Sequence, residues 1–488
     1  MFADYHKMKR RNFFKTAAFG TAGLALAASC NPSGRGSKGF GGKDNGTSLS
    51  GEVPGYRSLL KPSFTSGKKK SPNDTIVLGL IGAGGWGTHL IIETAKMNEN
   101  LRIRYICDVD DTRGGRAVEE VEKVQGFKPL SVRDMRKIFD DSEVDGVMIA
   151  TPEHWHGLAT IWACQAGKDV YVEKCISHSI TEGQKMVEAA MKYERIVQCG
   201  TLNRSLGCGY TARDYIKSGE LGDIVTVNAM ELTNGPVPFN EKENSDVPDT
   251  IDWDMWLGPA PRVPYNITRN KSWQYYWDYA GGYAFGQGVI HQADLLRLAL
   301  GDPDFPKSVY CTGGRYLFND KRDIPDYQIA VFDYGNFVMT LQGGEFTRYL
   351  AKTSEEIRMG KGFPDWQQNA TKIEIFGTKR MMYLGVMGGG WQVFDKDKQL
   401  VASDKSIFPL KDHVKNFLDC MRSRQQPNGN ILQGHQSASL IHMANLSYRT
   451  GCKQLLISPE WESILNDANA SELDRPHYRK GYELPLTI

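Results

Sequence analysis

Short apolar runs recur along residues 74–200 and set the pattern of the chain. Residues 76–81, 103–107, 146–150, 169–172 and 196–199 are brief and nearly continuous in hydrophobic character, as strands buried on both faces are. Between them, residues 89–97, 118–125, 135–139, 157–166 and 181–193 carry helical spacing. This alternation predicts an α/β layer, a doubly wound parallel sheet with helices on both faces. From about Leu202 the rhythm changes. Runs at 224–232, 308–312, 327–332, 337–342, 373–377 and 381–384 read as strands, and helical spacing returns only near 292–300, 413–422 and 437–450. Successive strands without intervening helices predict an α+β domain over 201–488, built on a mostly antiparallel sheet.

The first run leads directly into Gly82-x-Gly84-x-x-Gly87, and the second ends at Asp108. A strand, a glycine-rich turn, a helix and an acid closing the next strand are the context that the dinucleotide fingerprint requires. In this arrangement, the Rossmann unit over 74–200, Gly82 permits the turn and Gly84 lets backbone approach a pyrophosphate. Gly87 lets the helix pack close, so its first N–H groups face the phosphates. Asp108 suits a ribose diol and repels a 2′-phosphate, which predicts NAD rather than NADP. Ligands of such sheets sit beyond the strand carboxyl ends. The cofactor-binding candidates are therefore Gly82, Gly84, Gly85, Trp86, Gly87 and Asp108, then Thr151, Pro152, His154, His156, Glu173 and Lys174.

Composition narrows the field. The 488 residues are ample for two domains, and 40% hydrophobic residues can fill both cores. A net charge of +2 gives no sign of a nucleic-acid partner. No CxxC pair occurs among nine cysteines, and His154-x-His156 lacks a third ligand at metal-binding spacing, so no metal site is expected.

The first thirty residues read as an address. Arg10 and Arg11 sit in a basic segment followed by small and apolar residues from Thr16 to Ser29. That order is similar to a twin-arginine export signal. The run closes at Leu26-Ala27-Ala28-Ser29-Cys30, which resembles a lipoprotein processing site with Cys30 as the lipidated residue. Residues 31–73 read as a flexible tether, with the stretch to Ser50 rich in Gly, Ser, Lys and Asn. The expected location is outside the cytoplasm, with membrane contact only through a lipid on Cys30.

Glu173 and Lys174 end a buried strand at the sheet's carboxyl edge, where an amine beside a bound nicotinamide can exchange a proton with a substrate hydroxyl. Gly82–Gly87, Asp108, Thr151-Pro152-x-x-x-His156, Glu173-Lys174 and Gly281-Gly282 with His291-x-x-Asp294 occur in this order. Together they resemble the Gfo/Idh/MocA family, the sugar and cyclitol dehydrogenases that include inositol dehydrogenase and glucose–fructose oxidoreductase. The tail from Asn466 to Arg479 resembles exported members. The resemblance implies a Rossmann domain followed by a large open sheet, NAD as cofactor, a carbohydrate substrate and a homo-oligomer. It makes Lys174 the catalytic lysine and His291 its partner on the alcohol.

Two positions depart from the family pattern. Cys175 stands where proline commonly follows the lysine, and Gln287 stands where an Asp usually precedes the histidine by four residues. An amide orients a hydroxyl but does not take its proton, so Gln287 is a candidate site residue whose chemistry differs. Trp253, Trp256, Trp273, Tyr275, Tyr276, Trp277 and Tyr279 form an aromatic stretch suited either to a sugar face or to core. Asn203, Arg204, Arg269 and Asn270 are candidate hydroxyl contacts.

The expected function is an NAD-dependent oxidoreductase acting on a sugar or glycoside. Two alternatives remain open. One is a redox-assisted glycoside hydrolase resembling the NAD-dependent α-N-acetylgalactosaminidases, although Gly288-Val289-Ile290-His291 replaces the Tyr-Pro-Thr-His stretch of that group. The other is a non-catalytic, nucleotide-dependent sugar-binding protein.

Overall fold

The first six strands pair in parallel in the order β3-β2-β1-β4-β5-β6. The computed structural model describes residues 73–97, 100–233, 240–460, 462–475, 477–485 and 487–488, with Phe64 and Ser71. The expected export signal, Cys30 and nearly all of the tether lie outside the described residues. Strands β1 (Ile76–Ile81), β2 (Leu101–Cys107), β3 (Leu130–Val132), β4 (Gly146–Ile149), β5 (Asp169–Val172) and β6 (Val197–Cys199) alternate with helices. These are α1 (Gly85–Ala95), α2 (Asp111–Gln125), α3 (Arg136–Phe139), α4 (His156–Gln165) and α5 (Ile180–Lys192). Strand order reverses between β1 and β4, so their carboxyl ends, paired at Ile81 and Ile149, open a crevice for a ligand. Strand β3 is short and largely exposed, with no apolar run to announce it.

After α6 (Gly207–Lys217), β7 (Ile224–Leu232) starts the second sheet. Its burial alternates, with Val227 and Ala229 in the core. Helices α7 (Trp253–Leu257), α8 (Ile267–Lys271) and α9 (Ile290–Ala299) come next. Strands β8 (Ser308–Gly314), β9 (Tyr327–Asp333) and β10 (Val338–Gly344) lead to α10 (Glu355–Arg358). Then come β11 (Lys372–Gly377), β12 (Met381–Gly385), β13 (Trp391–Phe394) and β14 (Leu400–Asp404). Helices α11 (Leu410–Ser423) and α12 (Ile431–Arg449), strands β15 (Leu455–Ser458) and β16 (Ser463–Ile464), and α13 (Ala468–Leu473) complete the order. The sheet runs β14-β13-β12-β11-β7-β10-β9-β8-β15-β16 and is antiparallel throughout except where β10 pairs in parallel with β7. Strands β13 and β14 at one edge, and short β15 and β16 at the other, were not among the strands expected from the sequence.

Three segments join the layers. Helix α11 packs back on the first sheet, placing Leu410, Val414, Phe417 and Leu418 against Ile76, Leu78, Leu80 and Tyr171. Phe64 is buried in the same cluster, so one residue of the expected tether is anchored. Helix α12 is buried on nearly all sides and touches α5, β6, α9 and β8. Past α13, the Asp474 carboxylate accepts from the Ile180 N–H at 2.8 Å and the Thr181 N–H at 3.0 Å, capping α5. The Tyr478 hydroxyl donates to Glu182, and Tyr482 meets Trp155 edge-on at 5.5 Å.

Candidate active site

The turn from β1 to α1 is shaped by what a side chain would strike. Gly82 has φ +93°, and a Cβ there would lie 2.7 Å from the Ala150 carbonyl carbon. A Cβ on Gly87 would lie 2.1 Å from Gly82 O, whereas one on Gly84 would meet nothing within 4 Å. The turn is therefore closed toward the sheet and open toward the crevice, where a pyrophosphate would approach. Helix α1 has no side-chain N-cap and no acid in its first turn, which leaves its orphan N–H groups and positive dipole end for an anion. A cavity of about 480 Å³ is lined by Gly82, Gly84, Gly85, Trp86, Gly87, Asp108, Thr151 and Pro152. Thr151 Oγ1 is buried there without a hydrogen-bond partner. These residues fit a dinucleotide.

Asp108 accepts from the Ala83 N–H at 2.7 Å and the Asp110 N–H at 2.9 Å, which fixes the carboxylate at the cleft wall. Burial pushes its pKa up and the two amides pull it back. Arg113, Arg116 and Arg133 also line the cleft, each beside its own acid: Asp110 at 3.5 Å, Glu120 at 3.1 Å, and Asp111.

Part of the aromatic stretch closes over this cleft. The Asp252 N–H donates to Val109 O at 2.9 Å, and Asp110 bridges Ile251, tying residues 250–252 to the end of β2. Trp253 and Trp256 stack at 4.5 Å, with Tyr265 and Tyr279 edge-on. Trp253, Trp256, Tyr275, Tyr276 and Tyr279 are the core of this strap rather than a sugar platform. Trp256 and Trp273 face the nucleotide cleft, and Tyr283 is the aromatic side chain that lines the inner cavity beyond Lys174.

Two nucleotide-binding candidates require correction. His154 is buried with Nε2 3.0 Å from Trp256 O, and His156 has Nδ1 2.6 Å from Cys175 O and Nε2 2.9 Å from Thr151 O. Neither lines the nucleotide cleft or the cavities around Lys174. Burial holds their pKa values down at about 3 and about 4, so both rings are neutral braces between backbone segments. Glu173 lines the cavity beyond the cleft rather than the cleft itself.

That neighbouring cavity, about 410 Å³, shares Trp86, Thr151 and Trp273 with the nucleotide cleft and is also lined by Lys174 and His291. A smaller inner lobe of about 150 Å³ shares Lys174, Gln287, His291, Arg358 and Met387 with it and adds Glu231, Tyr283 and Lys352. Lys174, at the carboxyl end of β5, donates from Nζ to the Gln287 backbone O at 3.0 Å. A π-helical turn at Tyr283–Gly288 presents that carbonyl, a wider winding often found at functional sites. The peptide between Lys174 and Cys175 is cis. His291, on the next helix, is 8% exposed, and its Nδ1 has no partner. Burial and the charges of Lys174, Lys352 and Arg358 drive its pKa well below the usual imidazole value. The ring is therefore neutral and can accept or donate one hydrogen bond.

An acid that the motif reading passed over lies beneath this pair. Glu153 is fully buried and accepts from the Gly281 N–H at 2.8 Å, while its Oε1 has no partner at hydrogen-bonding geometry. Burial pushes its pKa up to about 7, against the pull of the Gly281 N–H, the Lys174 ammonium, the Gln287 amide and the Cys175 N–H. Glu153 thus stands among Lys174 and Gln287 with one carboxylate oxygen uncommitted. Its position directly after Thr151-Pro152, at the carboxyl end of β4, was the available signal. Deeper in the lobe, Glu231 pairs with Lys352 at 2.6 Å and accepts from Gln292 at 2.7 Å.

The proposed hydroxyl contacts lie elsewhere. Arg204 is buried against Asp294 at 2.9 Å and Asp302 at 2.8 Å. Asn203 accepts from the Met387 N–H at 2.9 Å and donates to His291 O at 3.3 Å, so it braces the histidine's backbone. Arg269 covers the Tyr276 ring at 4.3 Å, and Asn270 accepts from Arg113 at 3.3 Å.

The crevice of a doubly wound sheet, joined to a cavity holding a lysine and a neutral histidine, defines a nicotinamide-dependent class of fold and site. Residues 76–201 match the model described as the NAD-binding Rossmann fold of an oxidoreductase family, and residues 215–315 match that family's C-terminal alpha/beta domain. The chain belongs to the Gfo/Idh/MocA oxidoreductase family. A glycosyl hydrolase family 109 protein of Shewanella baltica is 28% identical over 202 residues, covering 39% of this chain and 38% of that protein. Levoglucosan dehydrogenase of Pseudarthrobacter phenanthrenivorans is 28% identical over 173 residues, covering 35% and 37%. The matches thus span well under two thirds of either relative. Among solved structures, the WlbA dehydrogenase of Bordetella pertussis in complex with NADH and UDP-GlcNAcA superposes with a TM-score of 0.57 at 18% identity, covering 80% of this chain and 99% of that one.

Proposed function

We propose that the protein transfers a hydride between a hydroxyl-bearing carbon of a sugar or glycoside and a nicotinamide, with Lys174 moving the hydroxyl proton. The observation that carries this reading is the shared wall: Trp86 and Thr151 border both the nucleotide cleft and the cavity lined by Lys174 and His291. NAD, when bound, supplies the hydride acceptor. Gly82–Gly87 and the first turn of α1 hold its pyrophosphate, and Asp108 takes the ribose. Lys174 Nζ, anchored on Gln287 O, takes the substrate's hydroxyl proton as the adjacent C–H bond breaks. Neutral His291, which lines the same cavity, aligns that hydroxyl. Glu153 acts as a positioning residue, supplying from beneath Lys174 the carboxylate that position 287 lacks. Its neighbourhood bridges the first sheet to the π-helical turn through the Gly281 N–H.

Similarity to levoglucosan dehydrogenase supports the sugar substrate, while the glycosyl hydrolase relative favours a second reading, transient oxidation that eases cleavage of a glycosidic bond. The basic pair Arg10-Arg11 supports export in a folded, cofactor-loaded state. The test is Lys174→Met in the NAD-loaded enzyme, assayed on a glycoside panel with products identified. NAD should stay bound while turnover falls ~10²–10⁴-fold. Near-native turnover removes the lysine from the mechanism. Keto-sugar as the steady product marks the oxidoreductase, and released aglycone marks the hydrolase.

A further inference from the structure

Arg358 closes α10 and lines both lobes of the substrate cavity. Its Nε donates to Thr353 O at 3.1 Å, and among the described residues no carboxylate stands within ion-pair distance of it. The deeply buried arginines of this fold behave differently. Arg204 meets Asp294 and Asp302, Arg322 meets Asp320 and Glu345, and Arg424 meets Asp169 at 2.6 Å. Each acid near the cavity has a partner other than Arg358. Glu231 holds Lys352 and Gln292, Glu173 accepts from the Lys174 N–H at 3.2 Å, and Glu153 accepts from the Gly281 N–H. Arg358 bears on the reaction centre too, because its charge helps keep His291 neutral.

We infer that this cavity takes an acidic sugar, a pyranose bearing a carboxylate or phosphate, and that Arg358 is the residue that grips the anion. A guanidinium presents parallel N–H donors that match either group, and here the outer edge of the fork is uncommitted. The inference deepens the sugar-oxidoreductase reading, and its turnover arm rests on that reading, while its binding arm does not.

The experiment titrates methyl β-D-glucuronide, glucose 6-phosphate and methyl β-D-glucoside into the NAD-loaded enzyme by calorimetry, at low and high salt, with turnover measured alongside. At least one acidic sugar should bind about 10–100-fold more tightly than the neutral glucoside, the range for a charge-assisted contact. The preference should narrow as salt rises. Arg358→Met should bring the ratio to near one, and Arg358→Lys should keep part of it. Which acidic sugar binds better identifies the anion. Equal binding of charged and neutral sugars, no binding by either acidic sugar, or a preference surviving in Arg358→Met would overturn the inference. Arg358-dependent binding without turnover would sustain it while removing the dehydrogenase reading.

Discussion

Glu153→Gln keeps the size of the side chain and an acceptor for the Gly281 N–H while removing one buried charge. The pKa of Glu153 stands at about 7 in the folded protein, above an ordinary value of 4.5. Each unit is worth about 1.4 kcal/mol, so ionising this carboxyl in place costs the fold on the order of 3 kcal/mol. The sign follows from the direction of the shift. The native state holds the proton more tightly than the unfolded chain does, so the wild type is favoured below pH 4.5 and loses that advantage as pH rises to about 7. Above this the loss is constant. The variant has no such titration, so its stability relative to wild type should climb by about 2–4 kcal/mol across this window. Denaturant unfolding of both proteins at several pH values between 4 and 8 measures it directly. Activity supplies the second readout. If the carboxylate steadies Lys174, the variant should lose roughly 10–100-fold in kcat and the limb of its kcat/KM profile near pH 7 should vanish. Parallel stability curves and an unchanged pH profile would refute the role assigned to Glu153.

Gln287→Asp alone places a second acid beside Glu153 and should slow turnover, whereas in the Glu153→Gln background it should recover activity, because one carboxylate then serves Lys174 from the other side. Failure of the pair to exceed Glu153→Gln alone would show that the two positions do not substitute for each other. Asp108→Ser should weaken NAD binding and ease entry of NADP, read from dissociation constants for both; tighter binding of NADP than NAD by the unaltered protein would contradict the ribose assignment. Arg10→Lys with Arg11→Lys should leave the protein in the cytoplasm, checked by fractionation, and unchanged export would count against the twin-arginine reading.

The buried strands of the first sheet were legible because each is a nearly continuous apolar run. Strand β5 was read with both of its ends, and the Gly82–Gly87 turn has the close packing expected of it. Strands β3 and β14 were not, since exposed edge strands need no hydrophobic alternation. Lys174 and His291, each marked by a motif, do line one cavity, as the sequence order alone could not show. Glu153 could not be weighed from sequence. Its place after Thr151-Pro152 marks it for attention, but its chemistry comes from burial and from Gly281, far along the chain. His154 and His156 failed for the converse reason: both sit at the correct strand end, but they point into backbone. The return of α11 to the first sheet was likewise invisible, because an amphipathic helix reads the same whichever layer it covers.

The cap that Asp474 places on α5 spans a sequence separation of 294 residues, and α11 reaches strand β1 from farther still. The nucleotide-binding layer is therefore not finished when its own residues have left the ribosome. Until residues 410–474 emerge, one face of that sheet and the first turn of α5 stand open to water, with Tyr171, Leu78 and Leu80 uncovered. Contacts of such range make folding slow and largely post-translational. The half-made protein is the state most exposed to aggregation and to chaperones. A truncation before Asp474 would leave a complete list of Rossmann elements and an incomplete domain.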